Sequence, residues 1–213
     1  MANKQKKNRK RKAWNKGVQI GQRGPFKPSD VARIKTMLAK RGDDGLRDLA
    51  LFSIAIDTML SAPDILGLTV KDVRKRNRVM RDTLELTLDY SGRSIRCTLS
   101  ETTMSVLEKW ISHSSKKPSD YLFPGRADGG SAPLAARQLS RLVKSWAAGM
   151  GLDPAAYGIN SLRRTRSMYI LRKTGNLEAV RALLGHSDIG STAHFLRDVK
   201  QPSPLAVSRA HEL

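Results

Sequence analysis

The chain has 213 residues, enough for one sizeable core and a short appendage. Its 39 Lys and Arg against 19 Asp and Glu leave +20 at neutral pH, which points to a polyanionic partner, because cations set near phosphates release condensed counterions. No run reaches the roughly 18 apolar residues of a membrane span, the opening Met1-Ala-Asn-Lys leads into charge, and a lone Cys97 excludes an internal disulfide. No membrane association, metal or cofactor is therefore expected. The expected location is the cytoplasm, with nucleoid association in a bacterium.

Residues 1–29 hold ten Lys or Arg and no acid, punctuated by Gly and Pro. Such a segment buries too little apolar surface to offset its ordering entropy, so the sequence predicts an arm that orders on binding. Lys6, Lys7, Arg9, Lys10, Arg11 and Lys12 are its densest cations. It reads either as a DNA-binding arm or as a solubilising tail. Residues 30–213 read as one domain.

Ser29 is placed to cap a helix with the apolar face Val31, Ile34, Met37 and Leu38, stopping at Gly42. A largely buried helix is predicted from about 45 to 60, and Pro63 suits the first turn of a short third helix. Then the period changes. Leu84 to Leu88 and Ile95 to Leu99 alternate about a Ser91-Gly92 turn, which predicts a hairpin, with Val70 to Val73 as a short third strand. Cys97 falls on the hairpin's apolar face. Helical spacing returns after Ser100, is interrupted between Pro118 and Pro133, and resumes near 134–150, 160–174 and 177–184, with Gly185 at a C-cap position. The expected fold class is mainly α with a small antiparallel β-sheet.

Three motifs then converge. Met59-Leu-Ser-Ala-Pro-Asp-Ile-Leu-Gly-Leu-Thr-Val-Lys-Asp-Val73 resembles G-L-R-x-S-E-L-x-x-L-x-x-x-D-I of the tyrosine recombinases (the phage integrase family). Ser119-Asp-Tyr-Leu-Phe-Pro124 is similar to that family's S-D-x-L-F-P. Asn160-Ser-Leu-Arg-Arg-Thr165, followed by Leu184-Gly-His-Ser-Asp188, resembles H-x-L-R-H-T followed by L-G-H-S. The resemblance covers about residues 35–200 and implies the catalytic-domain fold of that family, preceded here by the basic arm in place of a separate clamp domain.

In that family a tyrosine attacks a DNA phosphodiester, two arginines hold the non-bridging oxygens, a hairpin lysine protonates the leaving oxygen, and two histidine-type positions assist. Carried over, the second arginine is Arg163, with Arg164 beside it as a further phosphate-binding candidate. His186 fills the second histidine position and Asp64 the supporting carboxylate. Ser61 stands at the first arginine's position, and Asn160 at the first histidine's, able to donate a hydrogen bond but not to act as acid or base. The hairpin offers Arg93 or Tyr90, and Arg93 binds phosphate but donates protons poorly. Phe195 stands nine residues after His186, where the family has its nucleophile, and no tyrosine follows Tyr169.

The resemblance thus implies a degenerate site, with Arg163, His186, Asn160, Arg93 and Arg164 as phosphate contacts and no intact catalytic set. The expected function is non-catalytic binding of duplex DNA as a regulator or accessory factor. The alternatives are a recombinase with an unconventional site and an RNA-binding basic protein. Beside DNA, the implied partners are a second copy of the chain or an active recombinase, with residues 197–213 as a docking tail. Tyr169 is expected in the core, Tyr157 in a loop as a nucleic-acid contact, and His194 is the substitute nucleophile to be weighed. Lys71, Arg74, Lys75, Arg76, Arg78 and Arg81 form a second basic cluster, either a solvated face or an extension of the DNA-facing surface.

Overall fold

A computed structural model describes residues 22–89, 91–125 and 131–197. The arm cations from Lys6 to Lys12, Tyr90 and the tail beyond residue 197 lie outside the described residues. The architecture is helical with one small sheet. Helices α1 (Pro28–Ala39), α2 (Asp43–Thr58), α3 (Ala62–Leu66) and α4 (Val70–Val73) precede strands β1 (Thr83–Thr87) and β2 (Ser94–Thr98). Then follow α5 (Glu101–His113), α6 (Ala136–Gly149), a 3₁₀ turn (Pro154–Ala156), α7 (Ile159–Thr174), α8 (Leu177–Leu184) and α9 (Ile189–Arg197).

α2 is the central element because its sequence is apolar on nearly every face. Leu51, Phe52 and Ile54 are fully buried, and the helix packs against α1, α5 and α7. Its polar Asp48 is tolerated there because Trp146 donates its indole N–H to one carboxylate oxygen at 3.2 Å and Arg47 pairs with the other at 2.9 Å. The end of α2 is tied to the start of α5: Asp57 accepts from both the backbone N–H and the hydroxyl of Ser100, which in turn caps α5.

The strands pair antiparallel in the register Thr83↔Thr98 to Thr87↔Ser94, the hairpin that the alternation predicts. Cys97 faces inward, its thiol donating to Thr58 O at 3.5 Å, and burial pushes its pKa up to about 11. A second, smaller apolar cluster (Met59, Val180, Leu184, Leu196) holds α8 and α9 against α7.

The structure departs from the sequence reading at four places. Val70 to Val73 is a helical turn and not a third strand, because the Asp72 carboxylate accepts from both the N–H and the hydroxyl of Thr69 and closes the chain on itself. The globular part also begins before residue 30. Phe26 is 3% exposed, stacked on Tyr157 at 4.3 Å and edge-on to Phe52 at 6.2 Å, so residues 22–29 dock on the domain. α1 accordingly starts at Pro28, capped from Lys27, whose N–H donates to Asp30 at 3.3 Å, and not at Ser29. Tyr169 is 46% exposed on α7, with Arg166 over its ring at 5.8 Å, and lies outside the core.

Candidate DNA-phosphate site

Four segments converge at one end of the domain: the α2–α3 junction, the tip of the hairpin, the first turns of α7, and the α8–α9 region. α2 ends at Met59 in a left-handed conformation (φ 55°), and this non-glycine residue sits where the recombinase pattern has glycine. The turn points the Met59 carbonyl at α7. Arg163 donates Nε to it at 2.5 Å and Nη2 to Leu184 O at 3.0 Å, leaving Nη1 without a hydrogen bond among the described residues. Burial lowers the Arg163 pKa and the nearby Asp64 carboxylate opposes that fall; from so high an ordinary value the guanidinium remains cationic.

His186 stands beside it. Gly185 ends α8 at φ 71°, and a Cβ there would meet Leu88 Cδ1 at 2.2 Å, so glycine is what lets this loop lie against the hairpin. Arg93, at the far side of the hairpin turn, donates to His186 O at 3.2 Å and is thereby brought to the same end of the molecule. The His186 ring bonds Thr192 Oγ1 through Nδ1 at 3.0 Å. Burial and then the positive charge of Arg163 pull its pKa below the usual histidine range, against Asp188.

Phe195 fills the remaining side. Its ring is edge-on to His186 at 5.6 Å, lies under the Arg163 guanidinium at 5.5 Å and under that of Arg164 at 4.4 Å. The aromatic body therefore occupies the place next to Arg163 and His186, and it brings no oxygen there.

Arg164 lies behind the site and not on its open face. It is 3% exposed and donates Nε to Phe195 O at 2.8 Å, Nη1 to Arg23 O at 2.8 Å and Nη2 to Gln22 Oε1. The reason is helical geometry: neighbouring residues point about 100° apart, so when Arg163 faces the α2 turn its neighbour faces the incoming 22–26 segment. Arg164 ties α7 to α9 and to that segment. Its planar fork is held by two backbone carbonyls and the Gln22 side-chain oxygen.

Ser61 caps α3, and its hydroxyl donates to Asp64 Oδ2, while Asp64 Oδ1 accepts from Asp89 N–H at 3.0 Å. The supporting carboxylate of the recombinase pattern is thus bonded here by a serine and by the hairpin backbone. Asn160, in the first turn of α7, is exposed. Ser61, Asn160 and His194 line one open groove of about 840 Å³, with Gln22, Arg23 and Arg164 on its walls. Tyr157 is not a free contact: its ring is stacked on Phe26, and its carbonyl accepts from Arg23. Sequence reading missed Gln22 and Arg23 as groove walls; their signal was Phe26, a large aromatic near the end of a basic run.

Among the described residues no helix is long and apolar enough to cross a membrane, and no group of three His, Cys, Asp or Glu could hold a metal ion.

The order of elements and this convergence define a tyrosine-recombinase catalytic fold. The Phage integrase family profile matches residues 26–201, and the chain belongs to that family. It is 29% identical over 181 residues to the tyrosine recombinase XerD of Xanthomonas axonopodis pv. citri, covering 80% of this chain and 58% of that protein. It is 24% identical to a tyrosine recombinase of Pseudothermotoga lettingae, covering 85% of this chain and 59% of that one. The chain thus spans little more than half the length of these relatives. Among solved structures, the XerA recombinase superposes with a TM-score of 0.66 at 16% identity (89% of this chain, 64% of that one). The catalytic domain of bacteriophage HP1 integrase gives 0.53 at 17% (90% and 96%). XerH recombinase bound to its difH substrate gives 0.66 at 16% (89% and 54%).

Proposed function

We propose that this chain binds duplex DNA through the recombinase-type phosphate site and holds it without cutting, as a regulator or accessory factor. The observation that carries the reading is the ring of Phe195 seated between Arg163 and His186, where the family's nucleophile would stand. A phenyl ring fills that space and cannot attack phosphorus. Two further substitutions act in the same direction. Ser61 in place of an arginine removes one of two guanidiniums, and the Asp64 carboxylate is bonded to that serine. Arg93 reaches the site from the hairpin, yet its pKa makes it a poor acid toward a leaving oxygen. Removing one such group costs a few orders of magnitude in rate, and here three are replaced together.

What remains is suited to holding. Arg163 is fixed by two carbonyls with Nη1 to spare, Arg93 and Asn160 are exposed at the same end, and the net charge is +20. The relatives include recombinases captured on DNA substrates, which supports duplex DNA as the ligand class. The arm cations from Lys6 to Lys12 would add contacts to flanking phosphates. A gel-shift series on duplex DNA tests the reading: binding weakens steeply as salt rises and persists in Phe195→Ala, whereas absent or salt-insensitive binding contradicts it.

The second reading, a recombinase with an unconventional site, rests on family membership and on the retained Arg163 and His186. It requires a nucleophile other than Phe195. His194 is exposed and lines the groove that Ser61 and the Arg23 side chain also line.

A further inference from the structure

The hairpin has two ends, and only one belongs to the phosphate site. Thr87 and Ser94 lead into the turn that carries Arg93 to His186. Thr83 and Thr98 lie at the opposite end, four residue steps or about 13 Å along the strand. There the chain enters β1 from a tight knuckle, residues 70–81, that holds Lys71, Arg74, Lys75, Arg76, Arg78 and Arg81.

The knuckle is built and not merely charged. Arg74 bridges to Met80, Lys75 N–H donates to Val79 O at 2.8 Å, Arg78 N–H to Lys75 O at 3.0 Å, and Arg81 N–H to Val73 O at 2.8 Å. Arg78 sits at φ 65° to close the turn, and Val79 stands 52% exposed at its tip. Among the described residues none of the six side chains forms an ion pair or hydrogen bond. The one acid within the segment, Asp72, is spent on Thr69. The neighbouring loop adds Lys116 and Lys117 and is pinned to α4 by Lys71 N–H donating to Pro118 O at 2.9 Å; its Asp120 accepts from Lys117 N–H. A solvated face of ordinary type intersperses both signs and pairs them, as Arg96 and Glu85 do on the sheet between the two ends.

We propose that this knuckle is a second phosphate-backbone contact surface for duplex DNA, separate from the Arg163 site. The proposal rests on the reading of the chain as a DNA binder and extends it: the molecule touches duplex at both ends of the hairpin. Four arginines and two lysines on a hydrogen-bonded turn hold their spacing without partner-induced ordering, which suits them to phosphates along a groove edge. They carry no base-reading geometry, so the contribution is independent of sequence.

The test uses the full chain on a short duplex, reading the slope of log Kd against log salt. Replacement of Arg74, Lys75, Arg76 and Arg78 by Gln is expected to lower the slope by about 2 to 4 and to weaken binding on the order of 10- to 100-fold at moderate salt. A charge-preserving swap of the same four, Arg to Lys and Lys to Arg, keeps the wild-type slope, and a wild-type melting temperature of the Gln variant excludes a folding defect. An unchanged slope in the Gln variant, while Arg93→Ala still weakens binding, overturns the knuckle and leaves the phosphate site standing. A wild-type chain that binds no duplex overturns both. Structured RNA competing more strongly than duplex DNA in wild type, but not in the Gln variant, overturns DNA as the knuckle's partner.

Discussion

Arg163 and Arg164 are adjacent on one helix, and the structure sends them to opposite duties. Arg163 faces the α2 turn and the ring of Phe195 with one terminal nitrogen uncommitted. Arg164 is sealed among the carbonyls of Phe195 and Arg23 and the side chain of Gln22. The same residue type thus faces the candidate site and builds the wall behind it, one helical step apart. The difference teaches that the candidate site is a packed object. Its wall is made by the 22–26 segment and α9, and the residues that make that wall carry more of the fold than those that face the ligand.

That contrast is broken most severely through the wall. Phe26→Ala removes a ring that is stacked on Tyr157 and edge-on to Phe52, and is expected to cost about 3 to 4 kcal/mol in chemical denaturation. Arg164→Ala leaves carbonyls of two segments without donors and is expected to cost about 2 to 3 kcal/mol, with DNA affinity lost only in step with folding. Arg163→Ala is the mirror case: affinity falls about 10-fold or more at a temperature where the variant is still folded, measured by fluorescence anisotropy. If Arg164→Ala cost less stability than Arg163→Ala, the division of labour would be wrong.

The pH dependence sharpens the same comparison. His186 has a folded pKa held below its unfolded value of about 6.5, so the unfolded state binds the proton first. Stability from this group is complete above that value and falls as pH drops through and below it. His186→Gln should flatten this part of a melting-temperature profile. The smallest effect belongs to Arg93→Ala: the side chain is exposed and its bond to His186 O is a surface one, so stability should move by less than about 0.5 kcal/mol while the salt slope of binding falls by about 1.

Much of this was legible in the sequence. The alternation on either side of Ser91-Gly92 specifies the hairpin, and Gly185 marks the end of α8, because each signal is local. What was not legible depended on distant contacts. Phe26 looked like part of a basic arm, since its partners Tyr157 and Phe52 are far away in sequence. Arg164 shared a motif with Arg163 and could be told apart only through the helix phase set by Met59. Val70 to Val73 had β-branched residues, while the Thr69–Asp72 spacing that makes it helical was available and outweighed them. α9 was not delimited, although Ile189, Ala193 and Leu196 keep helical spacing across it. The site's identity rested on motif order, and its substitutions at Ser61, Asn160 and Phe195 could be read directly from the chain.

The central claim is that the Phe195 site holds DNA and does not cut it. One incubation with a nicked suicide duplex, divided between native and denaturing gels, tests it most directly. The account predicts a salt-sensitive shifted complex on the native gel and no protein–DNA band on the denaturing gel, for wild type and for Phe195→Ala alike. A covalent band that survives denaturation in the wild-type chain would contradict it.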